Sequence, residues 1–127
     1  VISANNKKIG YIHGVNQKGR YGGIQIFLVL DLDLRIKAFY IQKITGQYAE
    51  KLRDAEFGKQ FVGLVLEDFD QYDVMSGKGT GKVLEIKNPV PGPEAEHDFR
   101  RILRGTKKNL ILINEFIKMS PELSAKK

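Results

Sequence analysis

The sequence predicts an α+β fold: one antiparallel sheet built from hairpins, with helices packed on it, in a single domain spanning residues 1–127. Three observations carry this expectation. Apolar residues alternate, or run in strand-length blocks, through the first third of the chain. Near Thr45–Gly46 the apolar period lengthens to that of a helix. The last third holds a broad apolar helical face.

The elements follow in order. Lys8 to Val15 alternates loosely as a short strand, and Asn16 to Gly23 reads as a glycine-rich turn. Ile24 to Leu30 is a run of β-branched and large apolar residues, fit for a central strand. Asp31-Leu-Asp33 is a tight connection. Leu34 to Ile41 then alternates, with Leu34, Ile36 and Ala38 expected on one face, so the two strands should pair as a hairpin. Tyr48, Leu52, Ala55 and Phe57 share a helical stripe, predicting a helix of three turns that ends near Gly58. Phe61 to Leu66 is apolar enough to extend as a short helix or strand. Lys82 to Lys87 alternates as a further strand, and Pro89 to Pro93 breaks regular structure. Acidic Glu94, Glu96 and Asp98 suit a helix start. Gly105–Thr106 is expected to interrupt that helix, with Thr106 capping a second one that runs to about Lys118.

Composition removes several chemistries. With 127 residues the chain suits one core. It has no cysteine, which excludes disulfides, thiolate metal sites and cysteine nucleophiles. Its two histidines, His13 and His97, are far apart in sequence and argue against a histidine metal site. The formal charge of +6 suits nucleic acid, anionic lipid or a phosphorylated ligand, or simply a solvated basic surface. No RNA-binding aromatic pattern accompanies the cations, so nucleic acid is not expected. No nucleophile–base–acid set for a free-standing hydrolase stands out. The longest apolar run, Ile26 to Leu30, is strand-sized. Because the chain begins at Val1, a processed or trimmed start is expected, which leaves room for an upstream signal or anchor.

Residues 72–82, YDVMSGKGTGK, form the most distinctive stretch. Alternating glycine with Lys78, Thr80 and Lys82 suggests close backbone approach to an anion. A P-loop is excluded. Gly77 to Gly81 is one residue too short, and Val83 stands where a magnesium-binding Ser or Thr is needed.

Several stretches together resemble a known family. Tyr21-Gly-Gly-Ile24, Leu32-Asp33, Ile41 to Leu52, Phe57 and Gln60-Phe-Val-Gly63 follow in the order found in one group. It is the FMN-binding domain of the G subunit of Rnf-type electron-transport complexes and the C subunit of sodium-translocating NADH:quinone reductases. The likeness covers roughly residues 19–80 in detail and the terminal helix in outline. Lys43, Thr45, Lys51 and Leu52 match the family's H-K-E-T-P-G-L-G-x-K-I turn, while Ile44, Gly46 and Gln47-Tyr-Ala49 depart from it. Asp73 to Gly77 matches its D-x-x-S-G, after which Lys78 replaces Ala and Gly79 replaces the threonine that carries FMN.

The resemblance implies an FMN-binding electron-carrier subunit rather than a free-standing enzyme. It would sit on the extracytoplasmic face of the cell membrane beside the other subunits of an ion-translocating complex. Thr45 and Gly46 are the candidates for the flavin-ring side, and Ser76, Gly77 and Thr80 for the phosphate side. In the family a flavin transferase esterifies the threonine; with Gly79 at that position, Thr80 is the next hydroxyl. Thr106, expected at a helix N-terminus beside Lys107 and Lys108, is an alternative phosphate site. A second reading is a cofactor-free interaction module of the same fold, docking partner subunits or an anionic membrane surface.

Overall fold

The computed structural model describes residues 2–4, 7–19, 22–44, 49–74, 76–90 and 93–119. Strands β1 (Ile2–Ala4), β2 (Lys7–Gly19), β3 (Gly22–Leu30) and β4 (Ile36–Lys43) form an antiparallel meander in that order. Then come two short helices, α1 (Ala49–Leu52) and α2 (Ala55–Lys59), and a 3₁₀ helix over Leu66–Gln71. A small hairpin of β5 (Tyr72–Asp73) and β6 (Lys78–Gly79) precedes the long helix α3 (Pro93–Met119). This is the α+β arrangement that the strand and helix periods predict.

The β2–β3 ladder is continuous from Tyr11↔Leu30 to Gly19↔Gly22. The broad turn expected over residues 16–23 is therefore mostly strand. Backbone pairing does not need side chains, so Asn16↔Gln25 and Lys18↔Gly23 extend the ladder as readily as apolar pairs. Ile24, Ile26, Leu28 and Leu30 are all buried on one face of β3, as period two requires.

In β4 the expectation that Leu34, Ile36 and Ala38 share one face is corrected. Leu30 pairs with Ile36 but Val29 pairs with Ala38, so Lys37 is an extra residue in the strand. This bulge shifts the phase, and the buried side chains become Ile36, Phe39 and Ile41. Leu34 lies in the preceding turn with φ of 64°, a left-handed conformation uncommon for a branched apolar residue. The Asp31 carboxylate holds that turn by accepting from the Asp33 and Arg35 N–H groups at 2.9 and 3.0 Å.

The predicted three-turn helix is instead two short ones. Asp54 takes an extended conformation, and its carboxylate accepts from Glu56 N–H at 2.9 Å, so it caps α2 rather than continuing α1. Gly58 lies within α2, where a Cβ would stand 3.1 Å from the Phe39 carbonyl oxygen. Phe39, Phe57 and Phe61 pack as one cluster. Phe39 stacks on Phe61 with centroids 4.0 Å apart, and Phe57 meets Phe61 edge-on at 5.3 Å. Phe99 joins from α3, 6.2 Å from Phe57. The cluster ties β4, α2 and α3 together.

The strand expected over Lys82–Lys87 is absent; residues 82–85 form turns, with Glu85 N–H donating to the Lys82 carbonyl. An alternating segment needs a free sheet edge. The β4 edge is engaged at Ile36, which exchanges hydrogen bonds with Leu64 and Gly63, and is approached by Gly58 at Phe39. The Gln60 side chain instead pins the segment, bonding both the N–H and the carbonyl of Lys87.

The expected interruption at Gly105–Thr106 is also corrected, because α3 runs unbroken through both residues. A Cβ on Gly105 would lie 2.6 Å from Ile26 Cδ1 and 3.2 Å from Gln17 Cβ. Glycine there lets the helix approach the sheet closely, and it does not end the helix. Ile102, Leu103, Leu110, Ile113 and Ile117 bury the inner face of α3. Among the described residues, no helix is long and apolar enough to cross a membrane.

Candidate functional site

The glycine segment folds as a hairpin in which several backbone amides bond locally while the polar side chains are exposed. Tyr72 pairs with Gly79 and Asp73 with Lys78. Gly77 N–H donates to the Asp73 carbonyl at 2.8 Å, and Gly77 has φ of 75°. The Ser76 hydroxyl donates to Asp73 Oδ2 at 3.0 Å and accepts from Lys78 N–H at 3.3 Å. Thr80 N–H donates to the Gln71 carbonyl at 2.8 Å. The amides of Gly77, Lys78 and Thr80 therefore bond locally, and Ser76 and Gly77 act as the hairpin's turn.

The hairpin also explains Gly79. A Cβ there would stand 2.2 Å from the Gln71 carbonyl oxygen and 2.6 Å from the Tyr72 Cα. Both are backbone atoms that cannot swing away. The strand crossing requires glycine, so a threonine at this position would displace the pairing.

What faces outward is cationic and hydroxylic. Lys78, Thr80 and Lys82 are exposed. Arg100 of α3 stands against the turn, its Nε 3.3 Å from where a Gly77 Cβ would be. Arg100 also donates to Glu96 at 3.4 Å. This donor set suits a phosphate through side-chain charge and one hydroxyl, not through a cradle of amides. Beneath it, burial pushes the Tyr72 phenol above its ordinary 10.0, with the nearby Glu96 carboxylate adding to the rise.

Thr106 has a different role from the one expected. It is fully buried inside α3, and its hydroxyl donates to the Ile102 carbonyl at 2.8 Å. No helix begins there, so Thr106 offers no helix N-terminus to an anion. Lys108 Nζ donates to the Asn16 carbonyl at 2.9 Å, tying the helix to β2. Thr45 and Gly46 lie outside the described residues. Their described neighbours are Ile44, buried at the end of β4, and α1.

Three polar residues that the sequence reading missed join the helix to the sheet. Asn109, fully buried, donates its amide to the Ile26 carbonyl at 3.0 Å. Its Oδ1 is therefore the acceptor for His13 Nδ1, which carries the proton. Gln17, also buried, packs beside Gly105. The available signal was Asn109 itself, a lone amide within an apolar helical face.

Two clefts of about 490 Å³ each are formed by described residues. One lies between Leu32, Leu34, Leu66 and Leu110; the other follows β4 against Leu52, Gly58 and Val62. Shallower hollows of about 430 and 160 Å³ adjoin Gln60 and Gly14. Ser76, Gly77, Thr80 and Thr106 line none of these four. No protein-family model, curated protein or solved structure matches this chain.

Proposed function

We propose that the chain is an FMN-binding-type domain of a membrane electron-transport complex, similar to the Rnf G subunit, that holds its flavin without a threonyl phosphoester. Its partners are the neighbouring redox subunits at the extracytoplasmic face, and it acts as an electron carrier. What supports this reading is the outer face of the hairpin, where Lys78, Thr80 and Lys82 are exposed and Arg100 of α3 stands beside the turn. Lys43 at the end of β4 pairs with Gln25, next to the Ile26 against which Gly105 packs. Arg100, five residues earlier on α3 and about 7 Å further along its axis, stands beside the Gly77 turn. Asn109, later in α3, bonds His13 nearer the opposite end of β2, so Lys43 and the cationic hairpin lie toward the same end of the sheet.

In this reading Lys78, Lys82 and Thr80 hold the phosphate, and the segment carrying Thr45 and Gly46 borders the ring. FMN supplies the electron-transfer chemistry when bound, and the protein supplies orientation and charge. The family's covalent bond is not part of the proposal, because Gly79 has no hydroxyl and its backbone contacts require glycine.

The test is expression beside a flavin transferase, followed by a visible spectrum, intact mass and FMN titration by fluorescence. The expected result is yellow protein of unmodified mass that releases FMN on denaturation. Colourless protein that does not quench added FMN overturns the proposal. A specific observation favours a second reading, a cofactor-free interaction module of the same fold: the Gly77 and Lys78 amides bond within the hairpin and the Thr80 amide bonds the Gln71 carbonyl. That reading expects the colourless outcome together with a stable fold.

A further inference from the structure

We infer that the outward stripe of α3 is a docking surface for an anionic lipid bilayer. Arg101, Arg104, Lys108, Leu112, Phe116 and Met119 follow at spacings of three or four residues, so they share one helical stripe. The stripe changes character along its length. From Arg100 to Lys108 the helix carries five cations and no acid; Arg100 is paired with Glu96 and Lys108 bonds the Asn16 carbonyl, so Arg101, Arg104 and Lys107 are the ones offered to a partner. Beyond them Leu112, Phe116 and Met119 are 46, 57 and 81% exposed, with Ile111 beside them at 40%. Glu115, the acid nearby, is paired with Lys118 at 3.5 Å.

The dimensions match a leaflet boundary. Leu112 lies one turn beyond Lys108, about 6 Å, and Phe116 about 12 Å beyond it. The polar headgroup layer of one leaflet is roughly 5–8 Å deep. A helix lying obliquely on the surface sets Leu112, Phe116 and Met119 at the acyl boundary while Arg101 and Arg104 remain at phosphate level. The other occupants fit less well. A second copy pairing the apolar halves about an axis near Phe116 would leave the cations of both copies without an anionic partner. RNA would find cations but no aromatics among them.

This surface specifies the partner of the docking reading and does not depend on flavin, whose binding is measured separately by titration. The test is sedimentation of the full chain with phosphatidylcholine vesicles, with and without phosphatidylserine. Binding is expected only to the serine-lipid vesicles, weakening with salt. Changing Arg101 and Arg104 to Gln should weaken it roughly five-fold per cation, and the double change Leu112→Ser with Phe116→Ser should abolish it. Circular dichroism melts confirm that each variant is folded; Arg104→Gln is an exposed change and keeps the test available if the apolar pair does not fold. Failure to bind serine-lipid vesicles overturns the inference, as does binding unaffected by these changes. A dimer by light scattering that the Ser changes dissociate would assign the stripe to a second copy instead, and capture by RNA without vesicle binding would assign it to nucleic acid.

Discussion

Gly79–Thr80 and Gly105–Thr106 are the same dipeptide in two regions, and the structure treats them in opposite ways. At 105–106 the glycine lets α3 close onto β2 and β3, and the threonine hydroxyl is buried against the Ile102 carbonyl. At 79–80 the glycine lets a surface hairpin cross the Gln71 backbone, and the threonine side chain remains exposed. Both glycines are required by close approach. Only one hydroxyl faces a space where a ligand could meet it. The surroundings, not the dipeptide, decide which threonine is structural.

The largest effect that sharpens this contrast is expected from Gly105→Val. The added atoms meet Ile26 Cδ1, a flexible end, but also Gln17 Cβ on the strand itself. Overpacking of this kind costs about 1–3 kcal/mol, read as a lowered urea midpoint with an unchanged slope. A variant as stable as the parent would mean that α3 does not rest on the sheet through this glycine.

This difference between the two regions also accounts for what was legible in the sequence. The sheet was readable because Ile24 to Leu30 and Ile36 to Ile41 need only a period and a short turn, both local properties. The bulge at Lys37 was not readable, since it depends on the register against Val29 and Leu30. Gly105–Thr106 looked like a helix break because glycine signals an end locally, whereas its reason here is a strand some eighty residues earlier. Lys82 to Lys87 had the alternation of a strand but meets no open edge. At the candidate site the exposed cations and Thr80 could be named from sequence. The locally bonded amides, and Arg100 beside the turn, appear only once the hairpin is folded against α3.

Next in size is Asn109→Ala in the buried node. It leaves the Ile26 carbonyl without the amide and His13 Nδ1 without its acceptor. A cost of about 1–2 kcal/mol is expected. Gly79→Ala should cost less globally although its contacts are shorter, because the hairpin is at the surface and can open alone. Its signature is faster amide exchange at Thr80, whose N–H is held by Gln71. A global loss equal to that of Gly105→Val would show that the hairpin is part of the cooperative core.

A smaller effect tests the junction between the hairpin and α3 through pH. Burial raises the Tyr72 phenol above 10.0, so the folded state favours its protonated form. Between pH 10 and the raised folded value the native state binds more protons than the unfolded one, and stability falls as pH rises. Below pH 10 both states are protonated and the group adds no slope. Tyr72→Phe should remove this alkaline decline, measured as the urea midpoint against pH. A decline that persists undiminished would assign it to other groups.

The smallest structural effect, and the most specific functional one, belongs to Thr80→Val. The side chain is exposed, so stability should change by no more than about 0.5 kcal/mol. If Thr80 meets the flavin phosphate, losing a hydrogen bond to a charged group should weaken FMN by roughly tenfold or more. Thr106→Val supplies the control: its buried hydroxyl bonds only within α3, so FMN binding should not change. Equal weakening by both changes would point to a general loosening of the fold. Weakening by Thr80→Val alone would assign the hydroxyl to the ligand, because only this member of the two Gly-Thr pairs has its side chain in solvent.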